Sequence, residues 1–244
     1  MNPKFVIAFP FGGRPVPVDW HLAVRSLTLP TNAGVTEIFR RGMTLEDAQT
    51  SMAEQALELG AKYILFIEDD TSPPPGVIGE LGRVLDTTDD SVMACGGIYT
   101  TRSDPPEPIV YMGQGQGSHW NWKLGDIFEC WAVGCGCVMM KTKVFELMPK
   151  PWFKEIKTVE EAREYPELFD VHEDQKNGGV STDMFFYAKL AHMGFKVLAH
   201  GGVLPVHWDV KNQVGYWLPK GSHPVQGISF NGKEYGWTRE VTCP

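Results

Sequence analysis

The sequence predicts an α/β fold with a mostly parallel central sheet and flanking helices. Helical and strand patterns alternate between residues 44 and 97. The strand-like runs there are apolar throughout, as in strands covered on both faces by helices. Gly and Pro clusters punctuate the boundaries between elements. The 244 residues suffice for one substantial core, so a single domain over residues 1–244 is expected.

Taken in order, Phe5-Val6-Ile7-Ala8-Phe9 reads as a buried strand stopping at Pro10, with Gly12-Gly13 as a turn. Residues 14 to 43 are mixed, with Pro15, Pro17 and Pro30 as breakers. Thr44 is placed to cap a helix, with Asp47 completing a short relative of the capping box. Leu45, Ala48, Met52, Ala56 and Leu57 follow at helical spacing, and Gly60 is a C-cap glycine. Tyr63-Ile64-Leu65-Phe66-Ile67 is a wholly apolar strand running into Glu68-Asp69-Asp70. A helix over about residues 77 to 86 and a strand over Val92 to Cys95 complete the alternation. Residues 103 to 126 are irregular. Cys130 to Val133 and Val138 to Met140 read as strands around Gly134-Cys135-Gly136. The acid-rich stretch from 154 to 180 reads as a mobile loop. Ser181 caps a helix running to His192, closed by Gly194, and Lys196 to Ala199 form a further strand. The aromatic, glycine-rich tail after about residue 210 is expected to wrap over the domain.

Composition narrows the function. A formal net charge of -8 argues against a broad basic face for nucleic acid. No apolar run approaches the ~20 residues of a membrane span, and Met1-Asn2-Pro3-Lys4 does not read as a signal peptide. The five cysteines are an odd set, so reduced thiols in a cytoplasm are expected. Cys135-x-Cys137 lacks the second pair and the spacing of a zinc site and reads as buried apolar filling.

The chemistry concentrates at Glu68-Asp69-Asp70. Ligands of open α/β sheets bind beyond the carboxyl ends of strands, where this triplet sits. Two acids separated by one residue on an extended chain face the same way, so Glu68 and Asp70 can address one ligand. Hard oxygen donors suit Mg²⁺ or Mn²⁺. The alternative is a solvated acidic turn that caps the next helix.

Tyr63 to Pro74, with its acidic triplet, resembles the strand and DxD signature of GT-A glycosyltransferases, in particular the family-2-like enzymes of phages and bacteria. The resemblance implies a nucleotide-binding half over about residues 1–102, an acceptor and catalytic half over about 103–210, and the wrapping tail. It implies Asp70 as metal ligand and Glu68 or Asp69 as nucleotide contacts, with Glu68 departing from the family's aspartate. Pro10, Phe11 and Gly12 would line the base pocket. Arg41 would face the nucleotide, and Arg102 the phosphate or sugar. Trp131 and Gly134 belong to a segment resembling the turn beneath the donor sugar; Trp131 either stacks on a sugar or fills core. Ser181-Thr182-Asp183 resembles the acidic pair at the helix before the acceptor. Asp183 would be the general base, although a carboxylate in a first helical turn also suits the helix dipole. Pro205-Val206-His207 resembles the segment bringing a histidine to the metal, which tilts the choice to Mn²⁺.

The activity implied is metal-dependent transfer of a sugar from a nucleoside-diphosphate sugar to an acceptor hydroxyl, by inversion as the resemblance implies, with retention the alternative. The acceptor is a glycan, a protein or a modified DNA base. Two rivals stand beside it. Phe11-Gly12-Gly13-Arg14 is a faint version of a sugar nucleotidyltransferase loop. A non-catalytic sugar-nucleotide-binding protein of the same fold is the other.

Overall fold

The computed structural model describes residues 4–170, 179–218, 228–230 and 233–235. The first strand, β1 (Phe5–Phe11), runs through Pro10 rather than stopping before it. Its neighbour on one side pairs only as far as Ala8, so Pro10 lies where one flank is already free, a position proline tolerates. The mixed stretch holds two unforeseen elements, helix α1 (Val18–Arg25) and strand β2 (Val35–Arg41). The prolines misled: Pro17 is the extended N-cap of α1, and no proline falls inside either element. β2 is a sheet edge with mixed burial, so it lacks the apolar run of a central strand.

Helix α2 (Leu45–Glu58) begins as expected, with the Asp47 amide donating to Thr44 Oγ1 at 3.2 Å. Next come β3 (Tyr63–Ile67), the short β4 (Thr71–Ser72), α3 (Val77–Thr87) and β5 (Val92–Gly97). The second half contains β6 (Val110–Tyr111), β7 (Ile127–Cys130), β8 (Ala132–Val133), β9 (Cys137–Lys141) and α4 (Lys143–Leu147). The single strand expected over 130–133 is therefore broken at Trp131. Helix α5 (Val159–Arg163), with a full capping box from Thr158 and Glu161, lies within the expected mobile loop. Ile156, Ala162, Leu168 and Phe169 pack there with Phe185 and Ala188 into a small core. Helix α6 (Thr182–His192), β10 (Lys196–His200), β11 (Val206–Asp209) and β12 (Val214–Tyr216) follow, then β13 (Ile228–Phe230) and β14 (Lys233–Tyr235). Most of the tail expected to wrap the domain lies outside the described residues.

The main sheet has the order β2-β1-β3-β9-β5-β10-β7. β1, β2 and β3 are mutually parallel, and β5 is parallel to β10. β9 inserts antiparallel between β3 and β5, and β7 closes the far edge antiparallel to β10. This is the α/β class the sequence predicts. Period-two alternation splits the core into two layers. Ile64 and Phe66 of β3 pack with α2, α4 and α6, whereas Tyr63, Leu65 and Ile67 pack with α1 and α3. Each helical layer covers one sheet face, which is why the strands read as apolar throughout. No described helix is long and apolar enough to cross a membrane.

Candidate functional site

The carboxyl ends of β1, β3, β5 and β10 share one edge of the sheet, so the segments leaving them meet there. Past β3, Asp69 and Asp70 are each 2% exposed. Two buried carboxylates demand charge compensation. Asp69 Oδ2 accepts from the Gly12 amide at 2.8 Å, and its Oδ1 accepts from Arg14 Nε at 2.8 Å and Nη2 at 2.6 Å. Asp70 Oδ2 lies 2.8 Å from Arg14 Nη2 and 2.7 Å from Arg102 Nη1. Burial pushes the Asp70 carboxyl up, but His207, Arg14 and Arg102 outweigh it and hold Asp70 below the usual carboxylate range.

His207 reaches this cluster through a small second sheet, in which β11 pairs with β4 and sets His207 opposite Thr71. The Trp208 amide donates to the Asp70 carbonyl at 2.7 Å. His207 Nδ1 lies 2.7 Å from the Thr100 carbonyl, and Nε2 lies 3.6 Å from Asp70 Oδ2. A carbonyl only accepts, so Nδ1 carries a proton and donates to Thr100, and Nε2 is the nitrogen that faces Asp70. The Tyr99 ring braces the imidazole edge-on at 5.2 Å, and its hydroxyl accepts from the Gly136 amide at 2.9 Å.

At the start of the triplet, the Glu68 carbonyl accepts from Trp20 Nε1 at 2.8 Å. Protein surrounds the Glu68 carboxyl although part of the residue stays open. Burial first, then the charges of Asp70 and Asp183, push it up to about 8. Asp183 is thus within electrostatic reach of the acidic triplet. It sits in the first turn of α6, where its Oδ1 accepts from the Met184 amide at 2.9 Å and from the Ser181 hydroxyl. Ser181 spends its hydroxyl on Asp183 instead of capping the helix backbone. Burial raises Asp183, and hydrogen bonds from Ser181 and from backbone amides, that of Cys135 among them, hold it back. Asp183 lines a cleft of about 630 Å³ with Tyr111, Gln114, Trp131, Phe169 and Ser181.

The structure therefore brings Gly12, Asp69, Asp70, Arg102 and His207 into one cluster, with Glu68 and Asp183 beside it. Trp131 is half-buried, packed against the core and open to the Asp183 cleft. Gly134 lies against Tyr99: a Cβ there would overlap the tyrosine hydroxyl. Pro10 is buried, and Phe11 packs edge-on against Trp20 at 5.6 Å and stacks on Phe39 at 6.1 Å. Arg41 is exposed at the end of β2, in register with Phe11.

Two residues of the cluster had no role assigned in it: Arg14, read only within a nucleotidyltransferase-like loop, and Tyr99. Arg14 is the sole Lys or Arg between Lys4 and Arg25 and follows a strand-end Gly12-Gly13, which is a readable signal. Tyr99 gave none, because one buried tyrosine looks like any other. The four described cysteines, Cys95, Cys130, Cys135 and Cys137, are free and buried; Cys243 lies outside the described residues.

The fold has a solved counterpart. A structure titled A197 from STIV matches 99% of this chain and 97% of its own at TM-score 0.56 and 12% identity. At that identity the likeness is one of fold. Weaker matches include GalNAc-T7 with UDP, GalNAc and Mn²⁺, at TM-score 0.49 and 11% identity over 82% of this chain and 43% of that one. S. aureus TarS matches at 0.43 and 10% identity, over 80% of this chain and 35% of that one. The present chain spans less than half of either. No protein-family model and no curated protein matches the chain.

Proposed function

We propose that the protein is a GT-A glycosyltransferase that moves a sugar from a nucleoside-diphosphate sugar to an acceptor hydroxyl with the help of a divalent cation. One observation carries the reading: Asp70, His207, Arg14 and Arg102 converge at the sheet's carboxyl edge, beside a cleft with the raised carboxyl of Asp183 in its wall.

The donor atoms suit a cation. With Nδ1 bonded to the Thr100 carbonyl, Nε2 is the His207 nitrogen that a cation beside Asp70 Oδ2 would use. No group of three His, Cys, Asp or Glu side chains able to hold a metal occurs among the described residues. A cation held by two protein ligands, Asp70 and His207, would keep positions for diphosphate oxygens and water, as suits Mn²⁺ or Mg²⁺, the nitrogen favouring Mn²⁺. Bound there, it would neutralise charge on the departing diphosphate.

The remaining roles belong to side chains. Arg102 and Arg41 supply positive charge to the phosphates, and Pro10, Phe11, Gly12, Glu68 and Asp69 frame the nucleoside side. Trp131 offers an apolar wall to a sugar, above the turn of Gly134. Asp183 takes the proton of the acceptor hydroxyl as that oxygen bonds the anomeric carbon. The bond from that carbon to the diphosphate breaks, and its electron pair leaves with the diphosphate. Burial aids Asp183 by raising its basicity. Attack from the face opposite the diphosphate inverts the anomeric centre.

The test is a panel of nucleoside-diphosphate sugars with Mn²⁺. Turnover of one donor is expected, with Asp183→Asn lowering kcat by about 10²–10⁴-fold and leaving donor affinity intact. NMR of the product should show the inverted anomer. Absence of turnover with every donor, or pyrophosphate release from a nucleoside triphosphate instead, would refute the reading.

A further inference from the structure

Two guanidinium groups, shared between the carboxylates of Asp69 and Asp70, already balance the charge of Asp70. Arg14 Nη2 and Arg102 Nη1 both lie on Oδ2, at 2.8 and 2.7 Å, and His207 Nε2 faces the same oxygen at 3.6 Å. A divalent cation at Asp70 would meet two guanidinium groups at contact distance, and repulsion in this buried setting requires one of them to withdraw. Arg14 is built to do so without leaving the site. Its Nε holds Asp69 at 2.8 Å independently of Asp70, and its side chain is 39% exposed. Letting go of Asp70 leaves Arg14 held on Asp69 through Nε and Nη2. Asp69 is itself fixed by the Gly12 amide. A planar fork of N–H donors matches phosphate oxygens.

We propose that Arg14 is a diphosphate-binding residue, and that it exchanges Asp70 for the phosphate oxygens when a divalent cation binds. The inference rests on the metal-dependent reading above. In the cation-free protein Arg14 neutralises the buried acids; in the loaded protein it joins Arg102 on the diphosphate. Cation and diphosphate then strengthen one another's binding, because the arginine displaced by one is the ligand of the other.

The experiment measures free Mn²⁺ by electron paramagnetic resonance, with the protein alone and with inorganic pyrophosphate, for wild type, Arg14→Gln and the surface control Arg83→Gln. Arg14→Gln should bind Mn²⁺ alone roughly tenfold tighter than wild type, having lost a competing charge-assisted bond. Pyrophosphate should tighten Mn²⁺ binding roughly tenfold in wild type and far less in Arg14→Gln. Arg83→Gln should match wild type. If Arg14→Gln does not fold, Arg14→Lys replaces it: weak Mn²⁺ binding retained, pyrophosphate gain reduced. Mn²⁺ affinity unchanged or weakened in Arg14→Gln, or an undiminished pyrophosphate gain, overturns the proposal. Absence of Mn²⁺ binding to every variant overturns it too, whereas sugar transfer without any divalent cation would overturn it and leave the transferase reading standing.

Discussion

At the scale of single residues, the site is organised by what each polar atom is already bonded to. The Thr100 carbonyl decides which nitrogen of His207 is free. Gly12 and Arg14 decide that Asp69 serves as a structural anchor of the site as well as a candidate ligand contact. Asp183 offers a direct pH test. The Ser181 hydroxyl donates to its carboxylate and so favours the charged form. Removing that donor in Ser181→Ala leaves burial less opposed, and the Asp183 pKa rises further above the usual aspartate value. A base must be deprotonated to act, so the acid limb of kcat/KM against pH should move to higher pH in Ser181→Ala. The plateau at higher pH should stay near wild type. A limb that stays in place, or moves to lower pH, would remove Asp183 from the role of base.

At the scale of elements, the turn between β8 and β9 holds the site's two halves together. Gly134 and Gly136 leave room for the Tyr99 hydroxyl and for Thr71, and Tyr99 in turn braces His207. A methyl group at Gly134 has nowhere to go, because Tyr99 is fully enclosed. Gly134→Ala should therefore cost about 1–3 kcal/mol in chemical denaturation through overpacking. It should also weaken Mn²⁺ binding, since the displaced tyrosine unseats His207. Loss of stability with full Mn²⁺ affinity would separate the turn from the cation site. The same turn shows why strand direction was hidden. Val138 to Met140 look like any buried strand, yet β9 runs antiparallel between β3 and β5. Apolar periodicity reports which faces are covered and carries no information about direction.

At the scale of the whole molecule, ligand binding at one edge should stabilise the entire fold, because that edge ties β1, β3, β5 and β11 together. At about 100 times its Kd, a ligand specific to the folded state adds about 2.7 kcal/mol. For a chain of this size that corresponds to a Tm rise of about 5–10 °C. A sugar nucleotide with Mn²⁺ should produce such a rise in wild type and little in Asp70→Asn; equal rises in both would place the ligand elsewhere. The sequence by itself determined the α/β class, the helix opening at Thr44, the buried strand before Glu68 and the helix opening at Ser181. The Thr44 helix follows from local capping chemistry and the others from the alternation of helical and strand patterns, which neighbouring residues express on their own. It also showed the acids and the histidine as candidates. Only the tertiary structure decided which of them meet. Arg14, Asp70, Arg102 and His207 are far apart in the chain, and their convergence depends on the sheet order and on β4 pairing with β11. A long-range pairing is fixed by the packing of the whole core, so no local stretch of sequence records that one oxygen of Asp70 would face two arginines and a histidine.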